Sequence, residues 1–185
     1  MIPEFARIAD LIHQGQDIDA ISNDVLRREK YATSKRQFQE LSKRIRTLTH
    51  LQIEILAKGD PDEQKKMTHL ALCKTYELYH DFVTDVLNEK IQVFDRTVTD
   101  LDYNSFISRK KVDHPELDEL AQSTQLKVKT VIFRMLEQTG MIDSVSNSAI
   151  LPQYLAMNLE NAVIMDHPKW LACFMYSEHQ IQSLV

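Results

Sequence analysis

Glycine is scarce in this sequence, with three residues in 185, and proline is nearly so, with five. β-Hairpins and sandwiches consume turn residues at a higher rate than that, so an all-β architecture is excluded and an all-α fold is expected. Cysteine is limited to Cys73 and Cys173, far apart and outside any CxxC spacing, which rules out a disulfide framework and a zinc ribbon. Both are read as packing residues. No apolar run approaches the roughly 18 residues that span a bilayer, and the opening MIPEFARIADLIHQGQD lacks the basic and apolar regions of a signal peptide. A cytoplasmic protein without a membrane partner is therefore expected.

Catalytic motifs are also missing. The chain contains no GxSxG, HExxH, GxxxxGKS or GxGxxG pattern, so nucleophile elbows, zincin helices and phosphate loops have no residues to stand on. His69 and Cys73 lie one helical turn apart, and Asp166 and His167 are adjacent, but isolated pairs of this kind are read as packing or surface groups. The expectation is a non-enzymatic chain with no metal and no cofactor.

What the sequence has is segregated charge. The net charge is −5, which alone argues against a nucleic-acid partner. Between Arg27 and Arg46, however, eight basic residues face two acidic ones, a local net of +6, and the other 165 residues carry −11. One positive surface on an acidic body signals a polyanionic partner better than the overall balance does.

The glycines punctuate helices. Gly15, Gly59 and Gly140 each follow an apolar-periodic run and are read as left-handed C′ caps. Phe5, Ile8, Leu11 and Ile12 mark a first helix. Asp17 caps a second carrying Ile18, Ile21 and Val25, and Ser34 with Gln37 forms a capping box for a third with Phe38, Leu41, Ile45 and Leu48 as its stripe. These three give residues 1–58 a helix-turn-helix-like reading. A central region, 59–98, begins at GDPDEQ as one long buried helix reaching about Phe94. In 99–185, LDYNSF and PELDELA suggest two short helices, and Ser123 or Thr124 caps a third that ends at Gly140. Two apolar pieces, Met141-Ile142 and Ala149-Ile150-Leu151, then suggest the small hairpin of a winged helix, followed by a tail that packs Trp170 onto the body.

On a wheel at about 100° per residue, Lys35, Arg36, Gln39, Lys43 and Arg46 fall opposite the apolar stripe of the third helix. Lys and Arg suit phosphate oxygens, and Arg and Gln also pair with guanine or adenine edges in the major groove. Arg27, Arg28 and Lys30 flank this face. Lys127, Thr130 and Arg134 repeat the design opposite Val128, Val131, Ile132 and Met135. Double-stranded DNA is the expected partner. A basic helical bundle also suits RNA, and the acidic remainder suits a protein adaptor that assembles other components.

Several stretches, in order, resemble the BrxA family of BREX bacteriophage-exclusion systems: FARIADLIHQGQDIDAI, YATSKRQFQELSKRIRTL, DVLNEKIQVF, STQLKVKTVIFRMLEQTGMID and DHPKWLACFMYSEHQI. The resemblance implies a small all-helical protein with helix-turn-helix-like parts and some likeness to the antitermination factor NusB. It also implies DNA binding as an accessory factor among other BREX components, with chemistry left to those partners.

Overall fold

A computed structural model describes residues 1–26 and 31–184. Among the described residues all regular structure is helical, as expected, and the chain divides into two compact units, 1–76 with 155–170 and 77–154 with 171–185.

The first unit begins with α1 (Ile2–His13), which buries Phe5, Ile8 and Ala9 and stops at Gly15, whose φ of +91° only glycine adopts freely. Asp17 caps as expected, accepting from the Asp19 amide at 2.9 Å, but the second helix does not run on. It breaks into two 3₁₀ turns, Ile18–Ala20 and Asn23–Leu26. Ile21 between them is extended, and Ser22 accepts from the Asp24 amide at 3.2 Å, a local bond that competes with helix.

α2 (Tyr31–Ile45) starts earlier than Ser34, so the expected capping box at Ser34 and Gln37 is not formed. The Ser34 hydroxyl is buried and donates to the Asn23 carbonyl at 2.7 Å, fixing α2 on the preceding turn instead. Thr49 and Gln52 form an unforeseen capping box for α3 (His50–Lys58). Gly59 corrects another expectation: its backbone is extended (φ −65°, ψ 165°), not left-handed. Its role is steric, because a Cβ there would lie 2.5 Å from the Ile55 carbonyl oxygen. Asp60 and Glu63 then cap α4 (Pro61–Thr75), with Pro61 at the first position. α9 (Met157–Ile164) completes the unit, and Gln52 donates to its Ala162 carbonyl at 2.9 Å.

The expected long helix from 59 to 94 is interrupted at Tyr76 (φ −123°, ψ 103°), where one unit gives way to the other. The helix resumes as α5 (Glu77–Phe82), widens into a π-helical stretch (Val83–Asn88) and closes as α6 (Glu89–Gln92). Thr99 and Asp102 form a capping box for α7 (Asp100–Asp113), and a 3₁₀ turn follows at Pro115–Leu117. α8 (Gln122–Thr139) has Ala121 at its N-cap, so neither Ser123 nor Thr124 caps it; Gln125 reaches back to the Leu120 carbonyl at 2.9 Å instead. Gly140, at φ +74°, stops it as expected. Phe82, Tyr103, Phe106 and Phe133 form the aromatic core, with ring centroids 5.2–6.1 Å apart. The expected two-stranded wing reduces to isolated bridges, Ile142 with Ile150 and Thr97 with Ala149. Asp143 accepts from the Ser144 and Ala149 amides, using side-chain bonds where a hairpin would use a ladder. A 3₁₀ segment (Pro168–Phe174) passes between the units' residue ranges, and α10 (Glu178–Ser183) ends the fold. No helix among the described residues is long and apolar enough to cross a membrane.

Candidate nucleic-acid interface

In the first unit, α2 turns Leu41, Ile45 and the following Leu48 into the core, while Phe38 is half-buried. Lys35, Arg36, Gln39, Lys43 and Arg46 are all exposed, as the wheel requires. Lys35 and Arg36 have no ion-pair partner among the described residues. Arg27, Arg28 and Lys30 lie outside the described residues.

Two features of this face were not visible in the sequence. Arg44, counted in the basic run, is only 7% exposed and is spent inside: its Nε donates to the Tyr76 hydroxyl at 3.0 Å, which in turn donates to Glu40 at 2.6 Å. Burial, then the Glu40 contact, raises the Tyr76 phenol, so the hydroxyl stays a donor. Arg46 is paired with Asp19, delivered by the Ile18–Ala20 turn. The only advance signal of that partner was the acidic character of QDIDA. Lys43 remains available, its ammonium 5.3 Å from the Tyr76 ring. A shallow cavity of about 380 Å³ lies here, lined by Ile18, Asp19, Phe38, Gln39, Ser42, Lys43 and Arg46; it brings Gln39, Lys43 and Arg46 together, and Lys35 and Arg36 do not line it.

In the second unit, α8 exposes Lys127, Thr130 and Arg134 as expected, and neither cation has an ion-pair partner among the described residues. Its apolar face is rotated from the expected one. Ile132, Phe133 and Leu136 are the buried residues, and Val131 is 48% exposed. Val131 therefore joins Lys127, Thr130 and Arg134 at i, i+3, i+4 and i+7 on one surface, adding a methyl-bearing contact to the polar ones.

His69 and Cys73 are buried with the imidazole Nε2 3.6 Å from the thiol, and Cys173 is buried as well. Asp166 receives the Lys74 ammonium at 2.6 Å. No group of three or more His, Cys, Asp or Glu residues among the described ones is placed to hold a metal ion.

The sequence profile of the BrxA family matches residues 1–166. The chain belongs to the BrxA family. It is similar to the BREX protein BrxA of Bacillus cereus strain H3081.97, 24% identical over 123 residues that cover 66% of this chain and 62% of that protein. It is similar also to the BREX protein BrxA of Escherichia coli O9:H4 strain HS, at 22% over 135 residues covering 73% and 63%. The aligned stretch thus spans less than two thirds of the length of these BrxA relatives. A crystal structure of an uncharacterized protein from Magnetospirillum magneticum shares the fold, with a TM-score of 0.75 at 18% identity over 94% of this chain and 91% of that one.

Proposed function

We propose that this BrxA-family chain is a non-enzymatic, duplex-DNA-binding component of a BREX phage-defence system. The observation that carries the reading is the outer face of α2, where Lys35, Arg36 and Lys43 project without an ion-pair partner among the described residues and Arg46 needs only to exchange Asp19 for a phosphate. Arg and Lys on one helix face contact phosphates at successive positions and release counterions, which supplies affinity with little sequence preference. Gln39 is the member of the face best suited to a base edge. On α8, Lys127 and Arg134 supply phosphate contacts, with Thr130 and Val131 between them.

Gel-shift titrations of duplex DNA, single strands and duplex RNA at one fixed salt concentration test the reading. Duplex DNA should bind at least tenfold more tightly than the other two. Equal or tighter binding of RNA moves the function to an RNA partner, and no shift with any of the three removes nucleic acid from the account.

A protein-adaptor role has its own support in the second unit. Val93 and Phe94 are exposed, Phe94 by 86%, on a backbone fixed by bonds from the Asp95 amide to Lys90 and from the Ile150 amide to Arg96. A rigidly held, solvent-facing aromatic is the kind of residue that anchors protein interfaces, and other BREX components are the partners this reading assigns.

A further inference from the structure

The second unit contains a cavity of about 530 Å³ bounded by α7, the Pro115–Leu117 turn and α8. Leu78, Ile107, Leu117, Leu126 and Val128 give it aliphatic walls. Tyr103 lines it too, its ring held edge-on by Phe82 at 5.6 Å and Phe133 at 6.1 Å. The ring is buried, the residue being only 5% exposed, while its hydroxyl stays accessible and has no hydrogen-bond partner among the described residues. A hydroxyl held in place by a buried ring is a fixed donor that an acceptor on a bound molecule can take up. Burial pushes this phenol up to about 12, so it presents a proton at every physiological pH.

Near Tyr103 the lining also carries uncharged polar groups. The side chains of Asn104, Ser108 and Gln122 make no hydrogen bonds among the described residues, and between them they offer donors and acceptors. Cations mark the edge of the cavity. Lys129 pairs with Asp100 at 2.6 Å and Lys111 with Asp118 at 2.8 Å; the lysines are largely buried, whereas the two carboxylates are 78% and 66% exposed. A phosphate offers a lysine the same oxygens with more charge, and the exposed carboxylates are free to swing into water.

The geometry points to a nucleotide site: a planar base between the aliphatic walls, its polar edge on Tyr103 and Asn104, and its phosphate on Lys129 or Lys111 in exchange for an aspartate. The volume lies within the range of small-ligand pockets, and apolar walls with a few placed polar groups are their usual composition. Choosing a nucleotide over another planar anion rests on the nucleic-acid reading of α8, whose Lys127, Thr130 and Arg134 alternate in sequence with the wall residues Leu126, Val128 and Lys129. A free mononucleotide and an unpaired nucleotide of a bound strand present the same chemistry, and an unpaired position spares the cost of unstacking.

The test titrates the full chain with AMP, GMP, CMP and UMP, with adenosine and inorganic phosphate as controls, by calorimetry. In parallel, a duplex with a one-nucleotide bulge competes against its fully paired counterpart. At least one mononucleotide should saturate one site, with adenosine and phosphate each about tenfold weaker, or the bulged duplex should be preferred about fivefold. Tyr103→Phe, which keeps the ring and the core, should lower that binding or preference about tenfold or remove it. Leu126→Trp, at an exposed wall position, should abolish it with helicity unchanged. Saturation by mononucleotide alone assigns the site to a free ligand, and bulge preference assigns it to a strand. No binding of any mononucleotide and no bulge preference overturns the inference, as does wild-type behaviour of both variants. A wild-type chain that binds duplex DNA but fails both arms loses this inference while keeping the proposed function. One that binds mononucleotides but no nucleic acid loses the function and keeps the site.

Discussion

α2 in the first unit and α8 in the second share a sequence design, an apolar stripe opposed by Lys, Arg and one uncharged polar residue, but their surroundings differ. Asp19 holds Arg46, the Tyr76–Glu40 pair occupies Arg44, and Lys43 lies over an aromatic ring. Around α8 the outward Lys127 and Arg134 are unpaired among the described residues, while Lys129, two positions from Lys127, is tied to Asp100. A helix wheel shows where charge points. Whether that charge is free depends on acids brought in by other elements, and that is set by packing.

The units also hold their polar interiors differently, and the largest expected effect breaks that comparison. In the first unit the Lys74 side chain, 7% exposed, donates to the Thr47 carbonyl at 2.7 Å and Gln52 at 3.1 Å and pairs with Asp166. Lys74→Met strands a mostly buried carboxylate and an unpaired carbonyl, and should cost about 3 kcal/mol in urea unfolding. Adding Asp166→Asn should restore part of this; full loss in the double variant would show that packing of the lysine stem, not the ion pair, is what matters.

The corresponding lock in the second unit is titratable at accessible pH. His80 shares a hydrogen bond with the Cys173 sulfur and another with Asp81 at 2.9 Å, which hold the imidazole protonated up to about 9. Despite its burial, Asp81 is lowered by hydrogen bonds from Lys110 and His80. Because the His80 value is raised on folding, its contribution is complete below its ordinary value near 6.5 and is lost as pH rises through 9. The side chain is 30% exposed, so screening leaves about 1–2 kcal/mol of that coupling, roughly 3–6 °C in Tm between pH 6.5 and 10. His80→Gln should flatten this dependence, and an unchanged pH profile in the variant would locate the titration elsewhere.

A smaller effect concerns the turn after α6. Phe94 occupies the left-handed C′ position (φ +62°) of a Schellman-type stop, with the Asp95 amide bonded to Lys90 at 2.9 Å and the Phe94 amide to Ile91 at 3.1 Å. A non-glycine residue there costs about 1 kcal/mol, and this ring buries almost nothing in return. Phe94→Gly should therefore raise Tm by about 2–4 °C while removing a protein-contact anchor. A stability loss would show that the ring packs in solution against a surface of its own chain.

Much of this was legible in the sequence. The helical class followed from the shortage of turn residues, Asp17 and the GDPDEQ segment announced helix starts, and Gly15 and Gly140 marked left-handed stops. The break at Tyr76 was not legible, since apolar residues continue on both sides and no glycine or proline marks it. Nor was the Thr49 capping box, because its helix follows α2 with the apolar pattern barely interrupted. Within the candidate interface, exposure of Lys35, Arg36, Gln39 and Lys43 followed from periodicity alone. The Asp19–Arg46 pair spans 27 residues and the cavity beside Tyr103 joins residues of α5, α7, the Pro115–Leu117 turn and α8, and local pattern carries no record of either.

The salt dependence of duplex DNA binding tests the central claim most directly, measured for the wild type, Asp19→Asn and Lys43→Glu/Arg46→Glu. Contacts from Lys35, Arg36, Lys43 and Arg46 give a slope of log K against log salt near −4, steeper by up to about 2 if the flanking Arg27, Arg28 or Lys30 contribute. Asp19→Asn frees Arg46 and should tighten binding by a few-fold at low salt. The double reversal should flatten the slope by about 2 and weaken every duplex sequence about equally, with melting temperature nearly unchanged at these exposed sites. Wild-type affinity and slope in a folded Lys43→Glu/Arg46→Glu chain would make the α2 face a solvated surface and contradict the account.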